Sequence, residues 1–136
     1  KCSARGLAKL AAVMANGGSL AGQAILGSAA HQAMHDAPVK RNMMAMGSTT
    51  FTQGGLATFP PSHPMDKPME KALGHGRQGF FGWMGLGGSI FQWHPEQKIG
   101  FAYVPTSLNV LDLVNERGKA YQVEVVRCLQ AAGTSA

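Results

Sequence analysis

The stretch Gly82–Pro105, GWMGLGGSIFQWHPEQKIGFAYVP, constrains the fold more than any other part of the chain. Two apolar runs, Ser89–His94 and Ile99–Val104, flank Pro95, Glu96, Gln97 and Lys98. Aromatic and β-branched residues suit a pleated backbone, and a proline-led polar break interrupts it, so the pattern predicts an antiparallel hairpin. Alternation sorts the hairpin into two faces. Ile90, Gln92 and His94 fall on one, Ser89, Phe91 and Trp93 on the other, and in the return strand Phe101 and Tyr103 oppose Ala102 and Val104. Both faces are mostly apolar, which predicts a sheet covered by helices on both sides. Just upstream, Gly82, Gly85, Gly87 and Gly88 crowd together. Missing Cβ atoms there admit either a bulge that bends two strands or the close approach of a ligand or backbone, and both readings stand.

This stretch resembles the C-terminal strand region of the serine β-lactamase-like superfamily, which includes class C β-lactamases, DD-peptidases and related carboxylesterases. There a Lys-Thr-Gly or His-x-Gly triplet on a strand edge is followed by a Gly-Gly-Ser turn, a second strand, an Asp-Pro-Glu-like corner and a strand reading Gly-Phe-Ala-Tyr-Val. Here the triplet position is Trp83-Met84-Gly85, the turn Gly87-Gly88-Ser89, the corner His94-Pro95-Glu96 and the last strand Gly100-Phe101-Ala102-Tyr103-Val104. Weaker similarity extends to both ends of the chain. The resemblance implies an α+β fold, an antiparallel sheet with N-terminal and C-terminal helices packed on it, as an incomplete β-lactamase/transpeptidase-like domain. The family domain is much longer than 136 residues, and Lys1 is not an initiator methionine, so residues 1–136 are expected to be the C-terminal portion of such a domain.

The N-terminal part, 1–47, is expected to be helical. In Ser3–Asn16, Leu7, Leu10, Ala11 and Met14 share one face, Arg5 and Lys9 the other, Ser3 is placed to cap, and Asn16-Gly17-Gly18 stops the helix. A second helix is predicted from Gly27 to about His35. His31 and His35 stand four apart, a spacing that suits a metal, but no third ligand accompanies them beyond the adjacent Asp36, and a solvated pair is expected. Met43, Met44 and Met46 read as adaptable core packing. Residues 48–106 are expected to supply the antiparallel strands. One runs at about Phe51–Thr58, another around Gln78–Met84, and between them Pro60, Pro61, Pro64 and Pro68 predict a loop over 60–71 without regular structure. In 107–136 a C-terminal helix is predicted over Glu116–Ala131, with Tyr121, Val125 and Cys128 or Leu129 as its inward stripe.

Composition bounds the function. With 45% hydrophobic and 14% charged residues the chain is globular rather than disordered, and no apolar run approaches the roughly 20 residues of a membrane span. The formal charge of +5 comes from scattered Lys and Arg with no aromatic interleaving, which argues against a nucleic-acid partner. Cys2 and Cys128, far apart and outside any Cys-x-x-Cys spacing, read as reduced, buried thiols.

The family acylates a serine in a Ser-x-x-Lys motif with help from a tyrosine in a Tyr-x-Asn or similar motif. No serine here has lysine three positions on, and neither Tyr103 nor Tyr121 opens a Tyr-x-Asn. In the family both motifs lie upstream of the matched region. The resemblance therefore implies that this chain lacks the nucleophile and keeps one wall of the site, so that the chain alone is expected to be inactive. The Leu86 backbone N–H would be the second oxyanion-hole donor, and Trp83, Met84, Gly85 and Gly87 would border the substrate. Such a donor contributes about 3 kcal/mol to the transition state. Trp83 stands where β-lactamases and peptidases keep lysine or histidine, as in related esterases that carry tryptophan. It either borders an apolar substrate or simply fills the cleft as a strand residue. The implied parent hydrolyses a small ester, amide or peptide through an acyl-serine, with no cofactor and no metal. The alternative is a β-lactamase-like binding or scaffold protein without catalysis. Without its partner elements such a segment is expected to associate with itself.

Overall fold

A computed structural model describes residues 2–44 and 47–133 of the chain. The elements run α1 (Ala4–Ala15), β1 (Ser19–Leu20), β2 (Gln23–Ala24), α2 (Ser28–His35), β3 (Val39–Asn42), β4 (Ser48–Phe51), β5 (Ala57–Thr58), α3 (Pro68–Gly74), β6 (Phe81–Met84), β7 (Ile90–His94), β8 (Ile99–Tyr103) and α4 (Glu116–Gly133). β1 and β2 form a small hairpin, and the other six strands make one antiparallel meander in the order β3-β4-β5-β6-β7-β8. The fold is α+β, with helices on both faces of the meander.

The predicted hairpin is β7 and β8. Its register pairs Trp93 with Gly100 and Gln92 with Phe101, and Pro95–Lys98 form the turn, where Lys98 takes a positive φ of 56° and Gln97 N–H donates to His94 Nδ1 at 3.2 Å. The alternation holds. On the Trp93 face lies α1: a Cβ on Gly100 would stand 2.7 Å from the Ala11 carbonyl carbon, so the helix rests directly on the strand backbone. That closeness explains a difference from the sequence reading. The buried residues of α1 are Ala11, Val13 and Ala15, while Leu10 is exposed, because small side chains let the helix approach a glycine in the strand. Ser3 does cap the helix, accepting from Gly6 N–H at 3.1 Å.

On the opposite face lies α4. Its Gly118 sits against Ile90 and Tyr103, Gln122 Nε2 donates to Gln92 Oε1 at 2.9 Å, and Val126 packs on the cluster of Ala57, Phe59, Phe80 and Ile99. The inward stripe is therefore Gly118, Lys119, Gln122 and Val126. Tyr121, Val125, Cys128 and Leu129, expected to face the sheet, are exposed. A helix this close to a sheet is seated by a glycine, and the polar Gln122 finds a polar partner in Gln92, so apolarity alone marks the wrong face.

Five further expectations are corrected. The 1–47 part holds strands β1, β2 and β3 beside its two helices. The strand placed at Phe51–Thr58 is two, β4 and β5, joined by a turn in which Thr52 N–H donates to Leu56 O at 2.9 Å and Gly55 takes a φ of 73°. Within the proline-rich 60–71 stretch a helix begins: Pro68 opens α3, where a missing N–H costs nothing and φ is already helical, and Glu70 Oε2 accepts from Lys67 N–H at 3.3 Å. Met43 and Met44 are exposed rather than packed in the core, and Met46 lies outside the described residues. Cys2 and Cys128 are free, as expected, but exposed rather than buried.

Candidate functional site

β6 is an inner strand, paired to β5 on one side and β7 on the other, and it delivers Trp83 and Met84 to the start of a glycine-rich turn. Gly82, within the strand, has no room for a Cβ because the Phe91 carbonyl oxygen and Gln92 occupy it, so one of the crowded glycines serves close backbone approach. Trp83 is 47% exposed, its ring tilted against Phe51 with centroids 5.7 Å apart.

Beyond Met84 the backbone closes a tight turn. Gly85 N–H donates to Ser89 O at 2.8 Å and Gly88 N–H to Gly85 O at 3.2 Å. Gly87 and Gly88 take φ values of 91° and 112°, which side-chain-bearing residues rarely adopt. Leu86 stands at the tip, 75% exposed, and its N–H has no acceptor among the described residues. A cavity of about 240 Å³ adjoins the turn, lined by Met84, Gly85, Leu86, Asp112, Leu113 and Asn115. Of the residues expected at the site, Trp83, Met84, Gly85, Leu86 and Gly87 are thus contiguous on one strand end, with Gly87 buried and the others at least partly accessible.

Sequence reasoning missed the residues behind the turn. Asn115 Nδ2 donates to Gly85 O at 3.0 Å, and Arg117 Nη2 donates to Gly87 O and to Ser107 O, both at 3.1 Å. Asp112 accepts Glu116 N–H at 2.7 Å, the bond of a helix cap, and its second oxygen lies 3.7 Å from Arg117 Nε. An Asp and an Asn just before a helical run are readable as capping residues. Nothing local signals that Asn115 reaches back 30 positions to a glycine turn.

The histidine pair lies elsewhere and is half-buried and hydrogen-bonded rather than free in solvent. Trp93, at the β7 end that pairs with the start of β6, donates its indole N–H to His35 Nε2 at 2.9 Å. His35 Nδ1 donates to His31 O at 2.7 Å, which fixes a neutral tautomer with Nε2 as acceptor, and His31 Nε2 meets Met14 O at 2.8 Å. Burial, opposed by the bond to His31 O, pushes the His35 pKa below its ordinary 6.5. The pair ties α2 to α1 and β7 and borders a cavity of about 470 Å³ with Phe81, Pro60 and Glu96. Among the described residues no group of three or more His, Cys, Asp or Glu is arranged to hold a metal ion, and no helix is long and apolar enough to cross a membrane.

No protein-family model matches the sequence, and no curated protein matches it. The structure is similar to the crystal structure of a family VIII carboxylesterase, with a TM-score of 0.58 and 21% sequence identity over 87% of this chain. The match spans 31% of that enzyme's chain. The likeness is one of fold: over the part that matches, this chain has an α+β architecture similar to that of the carboxylesterase.

Proposed function

We propose that this chain is the oxyanion-hole wall of a β-lactamase-related serine hydrolase, whose nucleophilic serine, lysine and tyrosine belong to other parts of the complete protein. The observation that carries the reading is the Leu86 N–H, which has no acceptor among the described residues and lies at the accessible tip of the glycine turn. An amide so held is preorganised to receive negative charge, since no reorganisation is needed when the charge develops.

In this reading a serine hydroxyl attacks the carbonyl carbon of an ester or amide and gives up its proton to a neighbouring base. Electrons of the carbonyl double bond move to its oxygen, which Leu86 N–H stabilises together with the serine's own N–H. Collapse of that oxyanion re-forms the double bond and expels the alcohol or amine, which takes up the proton, and water then releases the acid from the serine by the same steps. Trp83 supplies an apolar edge where a lysine would bind a carboxylate, which favours neutral substrates. The likeness to a carboxylesterase agrees with that choice.

Turnover of a matched pair of p-nitrophenyl esters, one neutral and one bearing a carboxylate beside the scissile bond, tests the reading in the complete protein. Faster hydrolysis of the neutral ester is expected. Binding of the neutral ester without hydrolysis would instead favour the non-catalytic alternative.

A further inference from the structure

We propose that Asn115 and Arg117, at the start of α4, are positioning residues that aim the Leu86 N–H outward by holding the carbonyls of the glycine turn from behind. Calling that N–H an oxyanion donor rests on the function proposed above; the clamp itself rests on geometry.

A trans peptide unit is planar, so its C=O and N–H point in opposite directions. The Gly85 carbonyl and the Leu86 N–H belong to one such unit, and the described chain has no cis peptide. Asn115 Nδ2 holds the Gly85 oxygen at 3.0 Å. With the oxygen fixed toward Asn115, the Leu86 N–H points the opposite way, away from the start of α4. Asn115 is 2% exposed and takes a φ of 53°, a left-handed conformation that asparagine tolerates better than other side-chain-bearing residues. Its amide is therefore buried and locked at the one carbonyl that sets the direction of the Leu86 amide.

Arg117 repeats the arrangement two peptides later. Its Nη2 bonds the Gly87 oxygen, and a Cβ on Gly88 would lie 3.1 Å from that nitrogen, so the guanidinium fills the space behind the turn. The Ser107 carbonyl at 3.1 Å and the Asp112 carboxylate at 3.7 Å from Nε hold the guanidinium in place. Arg117 is thereby committed to backbone oxygens and is not a free cation for a substrate.

Hydrogen–deuterium exchange by mass spectrometry on the whole chain, at low micromolar concentration, reads the turn through the Gly85 and Gly88 amides. Asn115→Asp keeps shape and removes the donor, Asn115→Gly keeps the left-handed backbone, and Arg117→Gln removes the second strap. Arg127→Gln, an exposed position on the same helix, is the control. Each of the three variants is expected to speed exchange in the 84–89 peptide about tenfold, the effect of losing one hydrogen bond, while β7 and β8 exchange at wild-type rates. Unchanged exchange in 84–89, or a rise spread equally over β7 and β8, would overturn the clamp. In the complete protein, the same variants are expected to lower kcat on the neutral ester about tenfold or more with KM unchanged, because the oxyanion contact is made in the transition state. Local loosening together with a wild-type protein that hydrolyses no ester would leave the clamp standing and the hydrolase reading refuted. Ester hydrolysis with no local loosening would do the reverse.

Discussion

Arg77 shows how a single residue can be decisive and still unreadable in sequence. Flanked by Gly76 and Gln78 it looks like a solvated loop cation, yet it is fully buried, donating to Leu73 O at 2.9 Å, Val114 O at 3.0 Å and Gln122 Oε1 at 3.4 Å. Burial pushes its pKa down to about 10, opposed by the charges of Glu116 and Asp112, so it stays a cation at neutral pH and ties α3, the approach to α4 and α4 itself together. His35 was visible in sequence only as half of a spaced pair. Its partner, Trp93, lies 58 positions away, a distance that no local pattern bridges. Because burial lowers its pKa, the unfolded chain takes up a proton more readily than the folded one below pH 6.5. The stability contributed by neutral His35 is therefore complete above 6.5 and lost as pH falls through the lowered folded value. Protonation would also aim an Nε2 proton at the indole N–H. His31 opposes the protonated form and Asp36 favours it, and His94, likewise lowered by burial, adds a change of the same sign. The melting temperature of the wild type should drop more between about pH 7.5 and about pH 5 than that of His35→Phe. Equal drops would place the titration elsewhere.

At the scale of elements, sequence was most informative where one residue type enforces one geometry. The β7–β8 hairpin, the end of α1 at Asn16-Gly17-Gly18 and the glycine turn after β6 were all legible for that reason. The faces of α1 and α4 were not, since each helix is seated on the sheet by a glycine contact, Gly100 under α1 and Gly118 over Ile90, that hydrophobic periodicity does not count. Gly100 gives a direct check. Its missing Cβ would press on the backbone of Ala11 and Ala12, which has no rotamer with which to yield. Gly100→Val should destabilise the chain by about 1–3 kcal/mol or more, seen as a lower urea midpoint with an unchanged slope. A wild-type midpoint would mean that α1 does not sit on β8 as described.

For the molecule as a whole, the antiparallel sheet with helices on both faces was legible, and the fold matches that of a larger esterase over 31% of its chain. The strand end and glycine turn of the candidate site were legible; the turn's rear support from Asn115 and Arg117 was not, because it depends on α4 returning to β6 in three dimensions. Six strands in a row leave β3 and β8 as edges, and Leu86 in the glycine turn and Leu108 and Leu111 in the segment bonded to it are exposed. Unpaired edges and exposed leucines favour association. Sedimentation velocity of the 136-residue chain should show self-association that grows with concentration, and a monodisperse monomer would contradict that expectation.

Whether the Leu86 N–H serves as an oxyanion donor is decided by the rate at which a fluorophosphonate labels the complete gene product, wild type against Leu86→Pro, which deletes that one N–H. A single labelled serine within a Ser-x-x-Lys motif is expected, with labelling slowed about 100-fold in the variant. No labelled serine, or equal rates in the two proteins, would contradict it.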